Sequence, residues 1–139
     1  MKETGSRELI INLGDKDYDT SPTSGTTYLY SLGGGVVRGR PVVQINDPRR
    51  LHEIAIEIRD EYTGWIYSLN KIYLQRGLVE GGLSLFLISD CSCKRTELFD
   101  TYRVLCNLVL IKELLSRFPC DEITVVGGND SFLRAFRSI

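Results

Sequence analysis

The stretch "DEITVVGGNDSFLRAF" (residues 121–136) decides how this chain is read. A charged lead-in gives way to Ile123, Thr124, Val125 and Val126, a short β-branched run that suits a buried strand. Gly127 and Gly128 turn the chain. Asn129 or Asp130 then caps a helix carrying Phe132, Leu133 and Phe136. Strand, glycine turn and helix in that order are the repeating unit of layered α/β folds.

Working outward, the same logic organises the rest. "RELIINLGD" (residues 7–15) is a short isoleucine-rich run ending in Gly-Asp, as expected of a strand buried on both faces of a parallel sheet. The polar "KDYDTSPTSGTT" (residues 16–27) reads as a loop. Residues 28–32 and 42–45 read as short strands, separated by the triple glycine Gly33, Gly34 and Gly35. That triplet is read as a turn in preference to a backbone approach to a ligand.

Asp47 and Pro48 mark a helix start. Leu51, Ile54, Ala55, Ile58 and Tyr62 share one face, Thr63-Gly64 is expected to bend or break the helix, and a second piece runs over 65–75 until Gly77 stops it. Trp65 is expected to anchor the core or the bend. Residues 83–88 are expected as a strand, and 96–118 as a long helix ended by Pro119. The alternation predicts a Rossmann-like α/β domain with a mostly parallel sheet and helices packed on it, spanning 1–139 as one domain.

Composition narrows the function. Of 139 residues, 42% are hydrophobic and 25% charged, ordinary globular values. Seventeen basic against 18 acidic side chains leave no basic excess to mark a nucleic-acid footprint. No apolar run approaches the ~20 residues that cross a bilayer, and "MKETGSRELI" is no secretory signal, so a cytoplasmic protein without a transmembrane segment is expected. Cys91, Cys93, Cys106 and Cys120 lack the spacing of a disulfide framework or a zinc site and are read as free thiols; no metal and no cofactor are expected. The single His52 has no evident serine or cysteine partner, which argues against nucleophilic catalysis.

In open α/β sheets ligands bind beyond the carboxyl ends of strands. Three strand ends qualify: residues 12–17, 88–95 and 125–131. They supply Gly14, Lys94, Arg95, Gly127, Gly128, Asn129 and Asp130 as candidate ligand-binding residues. For the last loop a plain turn and helix cap explains every residue, and that reading is preferred to the ligand site. Lys94-Arg95 suits an anion as well as it suits a solvated helix lead-in; Arg38 and Arg40 invite the same anion reading with less support. The alternating Asp15, Asp17 and Asp19 lack the glycine and terminal glutamate of a calcium loop.

A tryptophan in a helix, then "LSLFLISDCSCKRTELF", a long apolar helix and "EITVVGGNDSFLRAF" together resemble the N-terminal region of bacterial surface-carbohydrate (capsule and lipopolysaccharide) biosynthesis proteins of two-domain, Rossmann-like glycosyltransferase type. The resemblance covers about residues 65–136. Lys94, Leu98 and Phe99 match the start of the long helix, and residues 125–130 match the strand and turn. Cys91-Ser92-Cys93 stands where the family would carry Glu-Lys, a departure from the pattern. The resemblance implies the acceptor-side, N-terminal part of a larger glycosyltransferase-like protein, catalytically incomplete alone. A nucleotide sugar or glycan acceptor would be its ligand, and a C-terminal domain or a second copy its partner. The implied glycosyl transfer needs a base for the acceptor hydroxyl, a part open to Asp15 or Asp90 only if the partner domain brings a donor to it. The alternative is a non-enzymatic α/β module that binds a small anionic ligand or a protein.

Overall fold

A computed structural model describes residues 5–88, 96–128 and 130–138. The chain forms two compact units. The first comprises Met1–Pro48 and Leu110–Ile139, the second Arg49–Val109.

The first unit is built on a four-stranded, all-parallel sheet. Its strands are β1 (Arg7–Asn12), β3 (Thr26–Ser31), β5 (Val43–Gln44) and β8 (Glu122–Val126), in the spatial order β5-β3-β1-β8. The chain therefore lays β3 and β5 on one side of β1, and returns much later to place β8 on the other. Leu9, Ile10 and Ile11 are buried, as a strand covered on both faces requires.

Alternate side chains face opposite sides of a sheet, and the two sides are covered differently. On one, Ile10 and Leu29 meet Val37, with Tyr18, Val42 and Val126 packed around them. Val37 and Tyr18 belong to a small second layer in which β2 (Tyr18–Asp19) pairs in parallel with β4 (Val37–Arg38). The crossovers from β1 to β3 and from β3 to β5 thus carry this two-stranded layer and no helix. On the other face, the Tyr28 ring meets Phe118 at 5.2 Å. Phe118 follows directly on α3 (Thr96–Arg117), whose last turns bury Leu110, Ile111 and Leu114. The closing unit is as expected: β8, Gly127 and Gly128 at φ 75° and 89°, and α4 (Asp130–Phe136), with Phe132 buried.

The second unit holds most of α1 (Pro48–Gln75) and the first part of α3. The Tyr62 and Tyr102 rings meet at 4.9 Å, and the Tyr102 hydroxyl donates to the Ala55 carbonyl. A hairpin follows α1: β6 (Val79–Glu80) pairs antiparallel with β7 (Leu83–Ser84). Gly81 and Gly82, both at positive φ, form its two-residue loop, as the mirror-image hairpin turns demand.

Four expectations are corrected. α1 runs unbroken through Thr63 and Gly64, with open space around Gly64 and no neighbour that forces a bend there. Residues 83–88 divide into β7 and a short helix α2 (Leu85–Ile88), since the hairpin turn consumes the strand. Residues 16–27 are not all loop: Tyr18–Asp19 form β2, and Thr26 and Thr27 begin β3. Trp65 is half exposed, with its ring against Tyr62, and anchors neither a core nor a bend.

Candidate ligand site at the carboxyl end of the sheet

The strand order reverses between β1 and β8, and the loops that leave their carboxyl ends lie against each other. Leu13 N–H donates to the Val126 carbonyl at 2.9 Å, carrying the ladder one residue beyond β1. A Cβ added at Gly127 would stand 3.2 Å from the Gly14 nitrogen, and one added at Gly128 only 2.5 Å from the Leu13 side chain. Gly127 lies against the Gly14 backbone and Gly128 against the Leu13 side chain, so the two loops are closely apposed.

A third loop joins them. Gly33, Gly34 and Gly35 have no positive φ, so the expected reason for the triplet, a turn using left-handed backbone, is not the one that operates. Close approach is. A Cβ at Gly33 would fall 2.1 Å from the Gly14 carbonyl oxygen, and one at Gly35 2.1 Å from that of Lys16. The glycines let the segment after β3 lie on the segment after β1.

Asn12 is the hub, and sequence reasoning passed over it. It is wholly buried at the end of β1, where its Nδ2 donates to the Gly35 carbonyl (3.1 Å) and its Oδ1 accepts from Gly14 N–H (3.2 Å). The available signal was a single amide directly after the apolar run Leu9, Ile10 and Ile11. Asn46 does similar work after β5: its Oδ1 accepts from Ser31 N–H (2.9 Å), and its Nδ2 donates to the Ser31 carbonyl (2.8 Å).

The acids of the first loop are committed to this scaffold. Asp15 Oδ1 accepts from Gly34 N–H at 3.0 Å, and Asp17 Oδ1 from Val36 N–H at 3.0 Å. Asp17 also pairs with Arg38 at 2.6 Å. Arg40 is turned inward to Glu8, with 8% of its side chain exposed. Arg40 therefore presents no guanidinium to an anion in solution, whereas Arg38 remains largely exposed beside Asp17. Asp15, a candidate base, keeps its place at the junction but spends one oxygen on the glycine loop.

Of the other candidates, Asp130 is the first residue of α4, two positions after Gly128. Asp90, Lys94, Arg95 and Asn129, with Cys91 and Cys93, lie outside the described residues. Among the described residues no cluster of three His, Cys, Asp or Glu could hold a metal ion, and no helix is long and apolar enough to cross a membrane. Burial raises the thiol pKa of Cys106 and Cys120, which does not favour a thiolate nucleophile at either position.

Comparison with protein-family models, curated proteins and solved structures finds no match for this chain.

Proposed function

We propose that the chain is the acceptor-side domain of a glycosyltransferase-like protein of bacterial surface-polysaccharide synthesis, and that its ligand sits over the β1–β8 junction. The observation that carries the reading is the meeting of two glycine loops where the strand order reverses. In open α/β sheets that is where ligands bind. The order β5-β3-β1-β8 is also that of the first four strands of a Rossmann-type sheet, and strand order alone supports the finer fold assignment, since β2 and β4 stand in the first two crossovers where that fold has helices. The sugar itself comes from the resemblance described above.

Exposed backbone with acids close by suits a hydroxyl-rich ligand, because peptide groups and carboxylates together offer both donors and acceptors. Asp15 orders the glycine loop through Gly34, and its remaining oxygen can accept from a sugar hydroxyl. A base for an acceptor hydroxyl and a cationic site for a departing diphosphate complete such a reaction. Asp90, Lys94 and Arg95 are the sequence candidates for those parts beside Asp15.

Titration with UDP-, GDP- and CMP-sugars and with neutral oligosaccharides, followed by amide shifts, tests the proposal. Gly14, Gly34, Gly127 and Gly128 should move together and saturate. Unmoved junction amides in every titration would sink it.

A second reading, a non-enzymatic module with a protein partner, is favoured by a different observation. Ile56, Trp65, Tyr67, Ile72 and Leu74 are exposed along α1, more apolar surface than a helix facing only water normally shows.

A further inference from the structure

The two edges of the sheet are not alike. At one, β5 is only Val43–Gln44, with Pro41 just before it, a short and proline-guarded edge that resists further pairing. At the other, β8 offers five residues, Glu-Ile-Thr-Val-Val, without lysine or proline. Its only charge is Glu122, at the very start. Because the Val126 carbonyl accepts from Leu13, the backbone groups of Val126 and Thr124 face β1. Those of Ile123 and Val125 face outward, where the sheet has no further strand among the described residues.

We infer that the β8 edge pairs antiparallel with β8 of a second copy of this chain, making one continuous sheet across a twofold axis. The register centred on Thr124 pairs the whole strand with its copy. With Thr124 opposite the partner's Thr124, Ile123 stands opposite the partner's Val125, and Val125 opposite the partner's Ile123. Those are the residues with outward backbone groups, so each such N–H meets a carbonyl in the narrow pairs of an antiparallel ladder. Glu122 falls opposite the partner's Val126, so no like charges face each other across the strands. On one face the four β-branched apolar side chains at 123 and 125 form a continuous strip, covering Ile123, which is 39% exposed in the single chain. A slip of one residue would set inward-facing groups opposite outward-facing ones and lose the ladder. The same patch serves both copies, as a closed twofold interface requires.

The test is sedimentation equilibrium of the full chain from micromolar to millimolar concentration, with amide hydrogen exchange at both ends of the range. The expected result is a mass approaching twice the 15.7 kDa protomer, with Ile123 and Val125 amides becoming protected as the dimer forms. Val125→Pro removes an outward N–H and leaves the β1 ladder intact, so it should give a folded monomer. Ile123→Lys, which leaves the backbone unchanged and puts a charge on the edge, should weaken dimerisation at least tenfold. A monomer throughout the range overturns the inference, as does a dimer undiminished by either substitution. Protected Ile123 and Val125 amides in a monomer overturn it too, because the edge would then be covered by the chain's own residues.

Discussion

Arg40 pairs with Glu8 beneath the sheet's second layer, and both side chains are largely buried, at 8% and 15% exposure. Thr124 Oγ1 on β8 adds a hydrogen bond to the same carboxylate at 2.8 Å. The ion pair thus links the β4–β5 segment to β1, and Thr124 links β1 to β8. Removing one partner leaves a buried charge without its counterpart, which costs about 3–5 kcal/mol. Glu8→Leu and Arg40→Leu should each lower unfolding stability by that order in urea titrations. The double substitution should cost clearly less than the sum of the two, since it leaves no orphaned charge.

Some of the glycines need to be glycine and others do not. Gly33→Ala and Gly35→Ala drive a methyl into carbonyl oxygens 2.1 Å away, and each should destabilise by about 1–3 kcal/mol. Gly64 lies inside α1 with open space where its Cβ would be. Gly64→Ala should stabilise by about 0.5–1 kcal/mol. Chemical denaturation of the three variants checks both signs.

Tyr30 is fully buried, and burial pushes its phenol up from 10.0 to about 12. Below pH 10 the phenol is neutral in folded and unfolded chains alike, and its contribution to stability is intact. Above that the unfolded chain ionises first, so stability should fall by about 1.4 kcal/mol per pH unit until the folded pKa is reached. Tyr30→Phe should flatten this limb between pH 10 and 12, measured as denaturant midpoints against pH.

Cys106 is 3% exposed, and desolvation raises its pKa despite a hydrogen bond with Tyr102. Neutral-pH iodoacetamide should leave Cys106 unmodified in the folded protein and label it only after unfolding. Peptide mass mapping reads that directly. Cys120 is only partly buried, and it should react at an intermediate rate.

The layered α/β character was legible because apolar runs and helix signals do not depend on distant contacts. β1, β8, the start of α1 at Pro48 and the stop at Gly77 follow from local chemistry. What escaped was set by packing. Val37 and Tyr18 form a second layer only because Ile10 and Leu29 need a cover, and nothing in "KDYDTSPTSGTT" announces a strand. The triple glycine was recognised but explained by the wrong physics, since close approach and positive φ favour the same residue. The meeting of Gly14 with Gly127 depends on which strand lies beside β1, a property of topology that local patterns do not encode.

That topology also sets an order of assembly. β1, β3 and β5 pair with near neighbours in sequence, whereas β8 reaches β1 across contacts such as Arg7 with Asp121, 114 residues apart. Closing so long a loop is the entropically slow step of folding such a chain. The local half of the sheet can nucleate first, with β8 arriving afterwards. The glycine junction then comes into being only at the final docking event. A partly folded chain would carry every residue of the candidate site and have no site at all.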